Sequence, residues 1–387
     1  MRYSLNRSKV ESMWIDQRGG RPREAGFTLV EVMIAAAISM IVIAAGFVIT
    51  VTTDKATRVS TRTADAQQSG RIAMELISRD VRMAGFGMKS TVGFCPTAIV
   101  PQDQTPGGAD TGSDRIHLLV PAMSANPALW QLGAAVLPPG GTNKTQNTVT
   151  LKAGAVAAAG ITFPAVIAIG GTWTGTAQSA TGDVITLDPN NLLGQPTTFP
   201  VNTPVYWLQC ITYQIIQSPD GNNVCAGRAP CLARGVTAAG NCDTAASPCV
   251  PVADGIEDIQ FAYACDGCVT TINAGVPNGV IDDQGATNLN AFDQGDFVTN
   301  STWAAATPQL NPATIRLVQI NVVAREIVPT DGFGDGKNAG VNTQGPLQVS
   351  DHLHSADPGY NAATYEKYRR RVLTKTVETR NLSLSGL

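Results

Sequence analysis

The chain carries one carboxylate, Glu31, inside its single long apolar run, the 25 residues Phe27–Val51. A charge at membrane depth is costly, and it usually marks a function with a partner of opposite charge nearby. Cleavage between Gly26 and Phe27 would create an ammonium group four residues before Glu31, and that group would offset the burial cost of the carboxylate. Gly26 has no side chain, so a protease can approach this bond closely. The residues therefore predict processing at Gly26–Phe27 and an assembly role for Glu31.

The apolar run Phe27–Val51 is long enough as a helix to cross ~30 Å of hydrocarbon. It follows a polar arm, residues 1–26, that contains six Lys and Arg residues. An ordinary secretory signal is the alternative, but such a signal is cut after its apolar core, and no small-x-small site follows Val51. We therefore predict a leader peptide at 1–26 and a transmembrane segment at 27–51.

The motif Gly26-Phe27-Thr28-Leu29-Val30-Glu31 resembles the cleavage and methylation motif of type IV prepilins and type II secretion pseudopilins. The basic leader and the apolar run resemble this family as well. The resemblance implies that a membrane aspartyl peptidase, the prepilin peptidase, cuts after Gly26 and N-methylates Phe27. It also implies that Glu31 pairs with the terminus of a neighbouring subunit. The expected partners are other pilins, the prepilin peptidase and, before assembly, the inner membrane.

The helix is expected to continue through 52–85, because no proline occurs before Pro96. Helical spacing predicts one apolar face on Ile72, Leu76, Ile77 and Val81. The run Gly85-Phe86-Gly87 is a typical helix stop. The alternative is a short anchor followed by a linker, since Thr and Ser crowd Thr50–Thr63 and lower the helix propensity there.

From about Ser90 onward, short β-branched and aromatic runs alternate with Gly, Pro, Asn and Asp, which predicts antiparallel strands. The fold class is therefore α+β: a long N-terminal helix packed on a mainly antiparallel β head, residues 86–387. Within it, 101–204 is rich in Gly, Ala, Thr and Pro and is interpreted as an insertion or variable lobe. The predicted strands are Arg115–Val120, Thr148–Lys152, Asp183–Leu187, Val205–Gln217, Ile256–Ala264, Ile315–Ile327 and Val372–Leu382.

The head resembles one branch of the family, the PilW-type minor pilins. Four short landmarks carry this resemblance in the expected order along the chain. They are Arg71–Gly85, Ile211–Tyr213 with Cys231–Arg234, Val252–Phe261, and Arg369–Leu382.

All eight cysteines lie C-terminal to the apolar run. An even count in a loop-rich region beyond a membrane segment predicts a disulfide framework in an oxidising compartment. The alternative is a zinc ribbon built on Cys265-x-x-Cys268, although no second such pair occurs. Cys265 and Cys268 are expected to be oxidised, to each other or to nearby cysteines. The eight candidates are Cys95, Cys210, Cys225, Cys231, Cys242, Cys249, Cys265 and Cys268.

No motif of a catalytic nucleophile, zinc protease or phosphate-binding loop occurs, so no catalytic residue and no enzyme activity are predicted. Three histidines are too few to predict a multi-histidine metal site. The acidic loops Asp282–Asp296 and Asp331–Asn338 lack the full spacing of a calcium-binding EF-hand, so we expect no cofactor, with calcium as the alternative. The net charge of −3 and the sparse aromatic residues argue against nucleic acid as a partner, and the basic cluster Lys367–Arg371 is interpreted as a solvated strand start.

These features favour a minor pilin, a structural subunit that initiates or caps a type IV pilus. It would reside in the inner membrane as a single-pass protein with a periplasmic head, and then in a pilus or pseudopilus at the cell surface. The alternatives are a type II secretion pseudopilin and an adhesin-like binding module at the pilus tip. A membrane-anchored periplasmic enzyme is a third class, which would require catalytic residues that the motifs do not provide.

Overall fold

The computed structural model describes residues 26–86, 95–102, 112–122, 128–136, 147–159, 161–189, 198–236, 241–242, 249–267, 276–282, 292–305, 311–329, 345–357 and 359–382. Most of the predicted leader, Cys268, most of the loop Asp282–Asp296 and the loop Asp331–Asn338 lie outside these residues. Contacts divide the chain into two units, Met1–Arg58 and Val59–Leu387.

One helix, α1 (Leu29–Met83), contributes to both units. The Thr-rich stretch does not break it, so the alternative of a short anchor with a linker is wrong. The hydroxyls of Thr50, Thr52 and Thr57 each donate to the backbone carbonyl four residues earlier, at 2.9 Å. These local bonds satisfy the polar side chains without ending the helix. Gly85, at φ +79°, adopts the left-handed conformation that terminates helices, as predicted.

The head is built on two antiparallel sheets and confirms the α+β class. The larger sheet has nine strands in the path β1-β2-β7-β4-β5-β6-β3, and β8 joins β7 to β9. The smaller sheet has the order β11-β10-β12-β15, and β13 pairs with β14 in a separate hairpin. In chain order, the strands are β1 Ile99–Gln102, β2 Arg115–Ala122, β3 Thr148–Thr150, β4 Ala165–Ile169, β5 Trp173–Thr181, β6 Val184–Leu187, β7 Val205–Ile216, β8 Cys231–Gly235, β9 Cys249–Asp254, β10 Ile256–Cys265, β11 Val298–Thr299, β12 Ile315–Arg325, β13 Gln348–Val349, β14 His352–Leu353 and β15 Arg370–Glu378.

In the part of the chain that the structure describes, three short α-helices accompany the strands. They are α2 Ala155–Ala159, α3 Asn300–Ala305 and α4 Ala362–Tyr365.

All seven strands predicted from the sequence are present, with ends shifted by a few residues. The last one begins at Arg370 and ends at Glu378, so its predicted start was two residues too late and its predicted end four residues too late. The list of predicted strands did not include β1, β4, β5, β8, β9, β11, β13 and β14. Strand β5 consists largely of Ala, Thr, Ser and Gly, so it shows little of the apolar–polar alternation that identifies a strand, whereas β4 is a run of only five apolar residues in a Gly- and Ala-rich region.

The main hydrophobic core lies between α1 and strands of both sheets. The predicted apolar face of the helix is partly wrong, because Ile72 is 42% exposed and Leu76 is half-buried. The face that is buried carries small residues: it runs through Ala66, Gly70, Ala73, Ile77 and Val81. Small residues such as Gly70 and Ala73 let the helix approach the sheet closely. The shape of the side chains, as well as their hydrophobicity, therefore determines which face is buried.

Gly70 marks the closest approach. A Cβ atom there would lie 2.8 Å from Leu373 Cδ1 and 3.2 Å from the Cβ of Ala324. Gly70 therefore lies within the continuous helix and lets α1 contact β12 and β15 closely.

A second hydrophobic cluster belongs to the region that the sequence marked as a lobe, 101–204. It is formed by residues between Trp130 and Val205, including Leu132, Ile167 and Ile185. The strands of this region continue the large sheet on one edge of β7, in the order β4-β5-β6-β3. Strand β4 pairs with the first half of β7, and β8 pairs with its second half.

Candidate functional site

The predicted processing bond lies directly before α1. Gly26 and Phe27 precede the first helical residue, and the Phe27 side chain is 86% exposed. An added Cβ at Gly26 would meet no atom within 4 Å. In the described residues, nothing covers the bond that a peptidase would have to reach.

Glu31 closes a capping box at the start of the helix, a feature that the sequence prediction missed. Its Oε2 atom accepts hydrogen bonds from the backbone nitrogen of Thr28 at 2.9 Å and from the Thr28 hydroxyl at 3.1 Å. In return, the Thr28 hydroxyl oxygen accepts from the backbone nitrogen of Glu31 at 3.3 Å. This is the reciprocal Thr-x-x-Glu arrangement that satisfies the unpaired donors of a first turn. The Thr28-x-x-Glu31 spacing could have revealed it.

The capping box uses only one of the two oxygen atoms of the Glu31 carboxylate. Both hydrogen bonds that the described residues make to Glu31 end on Oε2, and the side chain is exposed. Its negative charge in the first turn is stabilised by the helix dipole. The other oxygen, Oε1, can accept a cation that comes from outside the turn.

The surface that follows Glu31 is apolar on every side. Among the described residues, α1 is the one helix whose length and composition would let it cross a membrane. No residue in its most apolar stretch is buried. Long apolar side chains such as Ile41, Ile43 and Phe47 are about 70% exposed. A helix that is apolar all round is stable only in lipid or among other helices.

The extramembrane half of α1 is fixed to the head by a buried ion-pair network. Asp80 Oδ2 accepts a hydrogen bond from the Tyr213 hydroxyl at 2.7 Å and from Arg234 Nε at 2.9 Å. Its other oxygen accepts from Arg79 Nε at 3.1 Å. Burial and the neighbouring Asp80 charge raise the pKa of Tyr213 well above its ordinary value, so the hydroxyl remains a donor. The first two family landmarks named above are thus joined at one carboxylate.

A second ion pair joins the other two landmarks. Glu257 accepts hydrogen bonds from Arg370 through both carboxylate oxygens and from Arg325 Nη1 at 3.3 Å. Arg370 is only 4% exposed, so the prediction of a solvated basic cluster is wrong at this residue. Its guanidinium also donates to the carbonyls of Tyr365 and Tyr368, which fixes the start of β15.

The cysteines are oxidised in the described part of the chain. Three bridges are resolved, and they join Cys95 to Cys210, Cys225 to Cys231, and Cys242 to Cys249. Cys265 is also disulfide-bonded, which overturns the zinc ribbon alternative. Cys268 lies outside the described residues.

The acidic loop considered for calcium is described only at its ends. Asp282 Oδ2 accepts from the backbone nitrogen of Gly267, and Asp293 and Asp296 form a capping box around a short 3-10 helix. These carboxylates therefore have a local structural role, and the calcium alternative stays a prediction.

Two family profiles match the chain. That of the type IV pilus-assembly protein W, PilW, matches residues 212–381, and that of the prokaryotic N-terminal methylation motif matches residues 21–47. The first includes Tyr213, Arg234, Glu257 and Arg370, and the second includes Gly26, Phe27 and Glu31. Comparison with curated proteins and with solved structures gave no significant match. The two profile matches, together with the order of the helix and the head, support a PilW-like type IV pilin.

Proposed function

We propose that the chain is a minor pilin that helps to initiate or cap a type IV pilus. The segment 27–51 holds it in the inner membrane as a single-pass protein with its head in the periplasm, and assembly then carries it into the pilus at the cell surface. The two family matches support a structural role in pilus assembly. The observation that carries the proposal is the exposed bond at Gly26–Phe27, one turn before an available carboxylate on an apolar helix.

Processing is the first step of the proposed function. The prepilin peptidase cuts after Gly26, where no side chain obstructs the bond, and N-methylates Phe27. Cleavage exchanges a basic leader for one ammonium group at the end of the apolar helix. The helix can then move from lipid into contact with other helices without carrying the charge of the leader.

Assembly uses the charge at Glu31. The capping box orients the carboxylate through Oε2, and Oε1 accepts the N-terminal ammonium of a neighbouring subunit. In a low-dielectric bundle of helices, each group of this pair compensates the burial of the other. The pair therefore selects a neighbour that has been processed.

The mass of the membrane form of the full chain tests processing. We expect a mature chain that begins with N-methyl-Phe27, whereas Gly26→Val leaves an unprocessed precursor in the inner membrane. Gly46→Val is the matched control, because Gly46 lies within the same helix with open space around it, and its processing should be normal. An intact leader, or a cut C-terminal to Val51, would rule out the pilin assignment.

Deletion of the gene tests the role in the pilus. We expect loss of surface pili with type II secretion unchanged. The opposite result, lost secretion with normal piliation, would make the chain a pseudopilin. Normal piliation with lost surface attachment would make it an adhesin.

A further inference from the structure

A buried cluster of two histidines and one carboxylate lies in the head, far along the chain from the predicted site. Asp258 is on β10, His352 on β14 and His354 in the 3-10 turn that follows, and all three are at most 3% exposed. His352 Nδ1 is 2.9 Å from Asp258 Oδ2, and His354 Nε2 is 3.7 Å from the same oxygen. One side-chain atom from each residue lies within 4.8 Å of the other two.

Hydrogen bonds on the far side of each histidine determine which ring nitrogen faces the cluster. His354 Nδ1 lies 3.0 Å from the carbonyl oxygen of Leu347, and only a protonated Nδ1 can make that bond. His352 Nε2 lies 2.8 Å from Asp357 Oδ1 and accepts a hydrogen bond from the backbone N–H of Gly112 at 3.2 Å. Because these partners occupy Nε2 and Asp258 lies beside Nδ1, His352 Nδ1 and His354 Nε2 both face inward. A carboxylate or a carbonyl behind a ligating histidine is the usual outer arrangement of protein metal sites.

One inward atom lacks a hydrogen bond. His354 Nε2 is buried and has no hydrogen-bond partner among the described residues, since 3.7 Å to Asp258 is too long. A buried nitrogen without a partner destabilises the fold, and a ligand at that position would remove this cost. Asp258 is also oriented from behind, because its Oδ1 accepts from Gln260 Nε2 at 3.0 Å.

We propose that Asp258, His352 and His354 bind one divalent transition-metal ion, of which zinc is the best fit. Two imidazole nitrogens and one carboxylate oxygen are a donor set that zinc accepts, with a fourth position left for water or for a donor from another molecule. With zinc ~2.0–2.1 Å from each atom, the measured separations correspond to angles at the metal of roughly 90° and 130°, on either side of tetrahedral geometry.

The metal joins two parts of the head that the chain connects only through a long excursion. Asp258 lies on β10, which pairs with β12. Both histidines lie in the segment 345–357, which falls between β12 and β15 in the sequence. Since the ion binds the folded arrangement, it stabilises the docking of this segment.

The full chain, purified without a polyhistidine tag under non-reducing conditions and stripped with a chelator, provides the test. Zn²⁺ is titrated against a chromophoric chelator, and Co²⁺ is used as a spectroscopic probe. We expect one equivalent of Zn²⁺ per chain, intense visible absorption from tetrahedral Co²⁺ and a higher Tm with zinc. His354→Gln should weaken binding at least 100-fold.

His117→Gln is the matched control, because His117 is a buried histidine on β2 bonded to Thr212, and it should bind zinc as the wild type does. If His354→Gln does not fold, Asp357→Asn replaces it: Asp357 is no ligand, its side chain is 30% exposed, and its loss should weaken binding about 10- to 100-fold. Wild-type protein that binds zinc no more tightly than the folded His354→Gln or Asp357→Asn variants overturns the proposal. So does a Tm that zinc does not change.

Discussion

Asp80 and Arg234 are 154 residues apart in sequence, yet Arg234 Nε donates to Asp80 Oδ2 at 2.9 Å. The Asp80 side chain is fully buried, whereas that of Arg234 is 28% exposed. This pair fixes the rotation of α1 on the head, because Asp80 is the one charged residue that the helix buries, and Arg234 lies on the strand beside it.

Removal of the Arg234 charge should therefore be strongly destabilising. Arg234→Met leaves the buried carboxylate with one neutral donor and one exposed arginine, and we expect unfolding to become easier by about 3–5 kcal/mol. Arg79→Met is the matched control: Arg79 also bonds Asp80, but it is 57% exposed, so its loss should cost less than about 1 kcal/mol. Urea unfolding of the full chain in detergent measures both. Equal effects from the two variants would contradict the assignment.

Gly70 should tolerate no large side chain. Gly70→Leu would place atoms where Leu373 and Ala324 already lie, and overpacking of this kind costs about 1–3 kcal/mol. Leu373→Ala removes the nearest obstacle, so the double variant should be less destabilised than the sum of the single variants. The same unfolding assay gives this coupling. Additive effects would show that the helix contacts the sheet elsewhere.

The two roles of Glu31, helix capping and charge pairing, can be separated. Glu31→Gln keeps an acceptor of the kind that capping boxes use but loses the charge, whereas Thr28→Val loses the cap and keeps the charge. We expect Glu31→Gln and Glu31→Val to insert and be processed normally, and to be depleted from sheared filaments. Thr28→Val should still be incorporated, and Glu31→Asp should be intermediate. Normal incorporation of Glu31→Gln would exclude charge pairing for this subunit.

His117 should make the head less stable in acid. Burial, with a smaller contribution from Arg115, lowers the pKa of His117 to about 4. The unfolded chain binds this proton near pH 6.5, so between pH 6.5 and 4 the unfolded state holds more protons than the folded state. Stability is therefore complete above pH 6.5 and falls by up to about 3 kcal/mol towards pH 4. Because other groups titrate there too, the contribution of His117 is the part of this slope that His117→Gln removes, and an unchanged slope would contradict it.

The disulfides should differ in their effect on stability. The bridge Cys95–Cys210 closes a separation of 115 residues, whereas Cys225–Cys231 closes one of 6. Loop-closure entropy predicts a loss of about 5 kcal/mol when the first pair is replaced by Ala and about 2 kcal/mol for the second. Thermal unfolding of the two double variants tests the order. Peptide mapping should also locate the partner of Cys265, which we expect to be Cys268 because the other six cysteines are paired with one another.

Much of the fold follows from local patterns in the sequence. The apolar run, the helix stop at Gly85 and the strands rich in Val, Ile and Tyr are determined by neighbouring residues. The buried face of α1 is not, because the choice of Gly70 and Ala73 over Ile72 depends on the space beside Leu373. The Ala- and Thr-rich strand β5 is likewise stabilised by its neighbours in the sheet, β4 and β6.

The same distinction applies to the functional residues. Gly26, Phe27 and Glu31 are close in sequence, so a motif can identify them. Asp258 and His352 are 94 residues apart, and a count of three histidines argued against the site that tertiary structure brings together. Arg370 was misinterpreted for a similar reason, since its partner Glu257 is 113 residues away.

The last described residues of the chain contact the C-terminal half of α1. Asn381 donates to the carbonyls of Arg82 and Ala84, across 299 and 297 residues, and Leu373 covers Gly70. A ribosome adds about 5–20 residues per second, so these contacts are delayed by roughly 15–60 s after the helix is made. During that interval α1 has already been synthesised, but the face of its C-terminal half that packs on the head is not yet covered. The face of α1 that packs on the head is therefore covered only after the C-terminal strand has been made.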